Sequence, residues 1–161
     1  MNNVEGIVCA SYPQRAIVPA DMTDEDIEEC SKFRTKERFP VMSYYWKKNG
    51  TSIWRSSQPK EGLWGNVSKL DQKMIQSIIL TLPNKESNIK LKDEKRREAQ
   101  LHIYDARPKI SAIGNKLMGS GYENIDNYPS TWLWFCNIEN IHKVRESYLK
   151  LLHLTNRARF D

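Results

Sequence analysis

In the second half of the chain, short β-forming runs alternate with stretches patterned for helices, and this alternation constrains the fold more than any other feature. Leu101 to Tyr104 reads as a short strand and Lys109 to Met118 as a helix, which Gly119-Ser120-Gly121 breaks. Thr131 to Cys136, TWLWFC, is a continuous apolar strand of the kind buried on both faces. Asn137 to His153 follows as a strong helix, with Ile141, Val144, Tyr148, Leu151 and Leu152 in register. Strands and helices in this order argue for an α/β layer structure. Asp105-Ala106-Arg107-Pro108 then falls at the C-terminal end of a strand, where ligands gather in open α/β sheets.

The first half carries different signals. Residues 7–19 form a short extended segment broken by Pro13 and Pro19. Thr23 is placed to cap a helix whose first turn holds Asp24, Glu25 and Asp26, where the helix dipole favours negative charge. Ile27, Cys30 and Phe33 give that helix a narrow apolar stripe. Val41 to Trp46 and Thr51 to Trp54 flank Lys48-Asn49-Gly50, which predicts a β-hairpin with Asn-Gly in a type I′ turn. Leu70, Met74, Ile75, Ile78, Ile79 and Leu82 mark one face of a second helix, stopped at Pro83. The charged stretch 84–98 reads as an insertion loop or ragged helix, by default a solvated one. No internal repeat and no second domain are visible, so the whole of residues 1–161 reads as one unit.

Composition excludes several classes. The 161 residues are 39% hydrophobic, 10% aromatic and 28% charged, which suits a soluble globular chain rather than a disordered one. No apolar run approaches the ~20 residues needed to span a bilayer. The first residues show no signal-peptide pattern, which leads us to expect a cytoplasmic protein with reduced thiols. Three widely spaced cysteines, Cys9, Cys30 and Cys136, fit neither a disulfide framework nor a zinc site. A net charge of +5 favours anionic partners. A nucleic-acid module would rest on that charge alone, since Trp132 and Trp134 belong to a buried-looking strand and Trp46 and Trp54 flank the hairpin; no nucleic acid is expected.

Candidate chemistry begins with Cys9-x5-Arg15, the spacing used by cysteine-dependent phosphatases. That chemistry needs a thiolate beneath a loop of backbone N–H groups and an arginine fork on the phosphate. Here Pro13 removes one donor, no glycine eases the turn and no apolar helix follows Arg15, so Cys9 is read as a decoy. Cys136 has His142 rather than arginine six residues on, and Cys30 lies on a helix stripe; both are expected to pack. His102, His142 and His153 form no ligand-spaced cluster, so neither metal nor cofactor is expected.

CASYP followed by AIVP, FRTKERFPVMSYYW with NGTSIWRSSQP behind it, HIYDARP, GNKLMGSGYE and NIENIHKVRES together resemble the myotubularin family, in the family's order, from Val4 to about Leu154. The resemblance implies a partial protein-tyrosine-phosphatase-like α/β fold with an N-terminal β-hairpin and a helix-flanked sheet. It implies removal of the 3-phosphate from phosphatidylinositol 3-phosphate and 3,5-bisphosphate through a phosphocysteine, without a metal. The family's nucleophile sits in an HC-x5-R loop beyond the last matched helix, and its GRAM module precedes the domain. Neither motif occurs in this sequence, so the chain is expected to be an incomplete phosphatase domain, inactive as it stands.

Asn115 matches the family's asparagine that faces the inositol head group, and Asn140 and Ile141 match the pair bordering the phosphate pocket. Asp105 and Arg107 are implied as supporting residues. RSSQP carries serine where the family usually writes cysteine. The partners implied are a phosphoinositide head group, an active myotubularin relative in the alternative role of non-catalytic regulator, and at most peripheral contact with endosomal membranes.

Overall fold

A computed structural model describes residues 8–81 and 100–157. Leu82, Pro83 and the charged stretch 84–98 lie outside the described residues.

Helix α1 spans Asp24–Lys32. Its start is a capping box: the Thr23 hydroxyl accepts from the Asp26 amide at 3.1 Å, and the Asp26 carboxylate accepts from the Thr23 amide at 3.4 Å. Helix α2 spans Lys69–Leu80, with the Ser68 hydroxyl accepting from the Asp71 amide. The two helices meet face to face. Ile27 and Cys30 of α1 and Met74, Ile75, Ile78 and Ile79 of α2 form the core with Cys9, Met22, Phe39 and Tyr128. Each large aliphatic side chain buried there is worth roughly 1.5–3 kcal/mol. Ile27 and Cys30 of the one stripe and Leu70 to Ile79 of the other are therefore the faces that meet.

The hairpin pairs β1, Val41–Trp46, with β2, Thr51–Arg55. The register slips at Ser43, a bulge whose hydroxyl donates to the Ile53 carbonyl at 3.1 Å. Its turn differs from the expected type I′. Trp46 pairs with Thr51, so the loop holds Lys47 to Gly50, and Gly50, not Asn49, takes a positive φ of 73°. The cause is the Asn49 side chain, whose Oδ1 accepts from both the amide and the hydroxyl of Thr51, at 3.0 and 2.7 Å.

In the second half β3, Leu101–Asp105, runs parallel to β4, Thr131–Phe135, in register from Leu101 opposite Thr131 to Asp105 opposite Phe135. Helix α3, Lys109–Leu117, forms the crossover, and helix α4, Ile141–Arg157, follows β4. The described residues thus make a mixed α/β chain with two two-stranded sheets and four helices.

Burial departs from expectation here. Trp132 to Phe135 are half-buried rather than enclosed on both faces. Ala112 is the buried residue of α3, while Ile110, Ile113 and Leu117 face outward. Helix α4 is exposed from Ile141 to Asn156. Two strands cannot cover the apolar stripes of two helices, so the sequence pattern for a layer is present without a complete layer among the described residues. Helix α4 also starts later than its pattern suggests, because Asn137 takes a φ of 56° and the Asn140 side chain forms the cap.

Candidate functional site

Parallel pairing places the carboxyl ends of β3 and β4 side by side. The ladder continues past them: the Cys136 amide donates to the Asp105 carbonyl and the Ile138 amide to the Ala106 carbonyl, both at 2.8 Å. Helices α3 and α4 both begin off this edge, and their N-termini bring a partial positive charge to it, although the His142 and Lys143 amides of α4 are already capped by Asn140. Such an edge suits an anionic ligand.

Asp105 and Arg107 are brought together at this edge. Arg107 donates from Nε and Nη2 to the two Asp105 carboxylate oxygens at 2.9 and 2.6 Å. Nη2 also donates to the Gly121 carbonyl at 2.8 Å, and Nη1 to the Gln58 side-chain oxygen. The guanidinium is thereby committed to three neighbours. It ties the end of β3 to the segment after β2 and to the loop after α3.

Asn140 and Ile141 stand at the start of α4. Asn140 Oδ1 accepts from the amides of His142 and Lys143 at 3.0 and 3.1 Å, which is the geometry of an N-cap. The cap uses the oxygen and leaves the NH2 as a donor. Ile141 is exposed. Asn115 lies farther off, about 9 Å along α3 from its first residue. Its NH2 donates to the Ser111 carbonyl at 2.9 Å. Among the described residues no hydrogen bond or ion pair joins Asn115 to Asn140 or Ile141.

The cysteines occupy three environments. Cys9 is 1% exposed within the core, its thiol donating to the Lys36 carbonyl at 3.6 Å. Cys30 is equally buried and donates to Asp71 at 3.6 Å; burial, and then the Asp71 charge, push its thiol up. Cys136 is exposed, which corrects the expectation that it packs. It follows β4 directly.

A buried charged cluster that the sequence pattern does not announce links the end of α1 to α2. Arg34 and Asp71 are both 0% exposed, and Arg34 Nε and Nη2 donate to the two Asp71 oxygens, each at 2.7 Å. Nη1 donates to Glu123 and to the Ser57 carbonyl. The Tyr128 hydroxyl donates to Asp71 at 2.7 Å. Burial alone would push the guanidinium down, but the Asp71 and Glu123 carboxylates more than offset it and hold Arg34 charged. Burial, reinforced by Asp71, raises the Tyr128 hydroxyl so that it stays a donor. The cluster joins the end of α1, α2, the segment after β2 and the segment entering β4. The available signal was Asp71 itself, a carboxylate beside Leu70 and one turn before Met74 and Ile75 on an apolar stripe.

The described residues define a mixed α/β chain in which one parallel strand pair, β3 and β4, is connected through a helix. A sequence profile described as the myotubularin-like phosphatase domain matches residues 1–160. Phosphatidylinositol-3-phosphate phosphatase MTMR7 of Homo sapiens is 40% identical over 147 residues, covering 91% of this chain and 20% of that protein. Phosphatidylinositol-3,5-bisphosphate 3-phosphatase MTMR2 of Mus musculus is 36% identical over 144 residues, 89% of this chain and 20% of its own length. Myotubularin of Xenopus laevis is 38% identical over 144 residues, again 89% of this chain and 22% of its own. The chain belongs to the myotubularin-like phosphatase family, and it spans about a fifth of the length of these relatives.

Proposed function

We propose that this chain is the head-group-facing part of a phosphoinositide 3-phosphatase domain with a protein-tyrosine-phosphatase-like fold, working in the cytoplasm at membranes that carry its lipid. The observation that carries the reading is the family match over residues 1–160, together with relatives named for phosphatidylinositol 3-phosphate and 3,5-bisphosphate. In this reading Asn140 caps α4 with its oxygen and offers its NH2 to a phosphate or inositol oxygen at no charge cost. Ile141 borders the phosphate, Asn115 faces the inositol ring, and the Asp105–Arg107 pair braces the edge.

The nucleophile does not come from these 161 residues. Cys9 and Cys30 are sealed in the core, and Cys136 lacks an arginine at the spacing a phosphate loop requires. In this reading residues 1–161 by themselves do not hydrolyse the lipid, and the alternative role is that of a non-catalytic regulator beside an active relative. The test is phosphate release from soluble dioctanoyl phosphatidylinositol 3-phosphate and its 4-phosphate isomer. The complete reading frame that contains this chain should hydrolyse the 3-phosphate and spare the 4-phosphate, and the 161-residue chain should hydrolyse neither. Release by the short chain, or equal release of both isomers by the long one, would sink the reading.

A further inference from the structure

The loop between the hairpin and α2 carries an apolar tip that the fold presents to solvent. Trp64 is 92% exposed, Leu63 64% and Val67 50%, whereas Glu61 and Gly62 at the loop's base are buried. Gly62 and Gly65 take φ values of 62° and 65°, backbone that other residues rarely adopt, and they bracket the Leu63-Trp64 pair. The base is clamped. The Gly62 amide donates to the Ser120 carbonyl at 2.9 Å, and the Asn66 amide to the Glu61 carbonyl at 2.8 Å. Glu61 lies 3.0 Å from Lys116 Nζ, an ion pair by distance although its buried Oε2 receives no well-aligned hydrogen bond. A loop held this way cannot fold its indole back onto the core without breaking its base.

We infer that Leu63 and Trp64 insert into the interfacial layer of an anionic phospholipid bilayer and hold the candidate edge against the membrane. This rests on the phosphoinositide reading, which puts the substrate's head group in such a bilayer. Three observations select this partner. An indole at a bilayer surface buries its ring among acyl carbons while its N–H stays at the head groups. The projecting tip is one indole and one leucine, far short of the ~800 Å² per side that a stable protein interface buries. The net charge of +5 favours a negative leaflet, with Lys69 exposed just after the loop, while Lys60 before it is engaged by Glu37 at 3.7 Å and by the Lys32 carbonyl.

Position adds to chemistry. The loop rests on Ser120, and the neighbouring Gly121 carbonyl accepts from Arg107, the residue that braces the end of β3. The same segment begins at Gln58, which also bonds Arg107. Insertion of the tip would therefore set the height of the β3–β4 carboxyl edge above the lipid.

The test uses the protein expressed from its complete reading frame and a Leu63→Ser/Trp64→Ser variant. Both are sedimented with phosphatidylcholine–phosphatidylserine vesicles, about four to one, that contain no phosphoinositide. Circular dichroism and the urea midpoint check the variant's fold, and Trp64→Phe, which keeps an aromatic tip, should restore most of the binding. We expect the double variant to partition at least about tenfold more weakly, with turnover of the soluble dioctanoyl lipid unchanged. Equal partitioning of the folded variant and the parent protein would overturn the proposal. Failure of the parent to hydrolyse the soluble lipid would instead overturn the phosphatase reading, leaving the partition result to decide insertion on its own.

Discussion

Arg34→Met isolates what the buried cluster contributes. Methionine fills much of the same volume, so the change chiefly removes the charge and the fork. Asp71 and Glu123 are then left at 0% and 9% side-chain exposure without their cation. Removing one partner of a buried ion pair costs about 3–5 kcal/mol, because the charge left behind is neither solvated nor paired. In urea, with a slope of about 2 kcal/mol/M for a chain this size, the midpoint should fall by roughly 2 M. The Arg34→Met/Asp71→Leu double variant sharpens the argument. If the loss comes from the stranded carboxylate, removing it should return at least about 1 kcal/mol relative to Arg34→Met alone, a coupling that only contacting residues show. Arg34→Lys should fall between, since an ammonium keeps the charge but cannot span both Asp71 oxygens. A loss under about 1 kcal/mol for Arg34→Met, or strictly additive changes in the double variant, would refute the view that this cluster holds the two halves together.

Asn140 separates capping from binding: Asn140→Asp should keep the helix start, whereas Asn140→Ala should cost about 1 kcal/mol. In the active protein, measured as KM for the soluble lipid, the aspartate should weaken substrate binding more than the alanine, because it sets a negative charge beside the phosphate. Cys9→Ala should leave kcat of the complete protein unchanged, and a loss of turnover in a folded variant would restore Cys9 as a candidate. Burial pushes the Tyr12 hydroxyl up to about 12. Because the folded value exceeds the unfolded value near 10, its contribution is fully present below about pH 10 and is lost as pH rises toward 12. Tyr12→Phe should therefore flatten the alkaline limb of a stability–pH curve; a limb of unchanged steepness would remove Tyr12 from the account.

What was legible in the sequence is what local chemistry dictates. The Thr23 cap, the α1 stripe, the α2 stripe from Leu70 to Ile79, the hairpin strands and the strand–helix order needed neighbours a few residues away, and the described residues show each of them. The hairpin's turn was missed because Asn49 bonds Thr51 with its side chain, a competitor that the Asn-Gly pairing rule does not weigh. The Arg34 cluster was missed because its members come from four separate segments, and each looks like an ordinary surface charge when read alone. The site residues came from resemblance, and the structure adds what they bond to. Arg107 is spent on Asp105, Gln58 and Gly121, and Asn140 has one end of its amide engaged.

Burial divides the molecule unevenly, and that division has a measurable consequence. The α1–α2 side owns the core, the capped helices and the Arg34 cluster. Helix α4 owns an apolar stripe, Ile141, Val144, Tyr148, Leu151 and Leu152, that is exposed along its length. An isolated helix of 17 residues is marginal in water, since most helical stability comes from packing. In the 161-residue chain, amide exchange should therefore be fast in α4 and slow in α1 and α2, with opening of α4 costing little of the global stability. Val144→Glu with Leu151→Lys should shift the urea midpoint by less than ~0.5 kcal/mol equivalent. The same pair should raise the concentration at which the chain aggregates, because it interrupts an exposed apolar face. Protection in α4 equal to that in α2 would mean that the stripe is covered in solution, and that this half is stabilised by contacts other than those described.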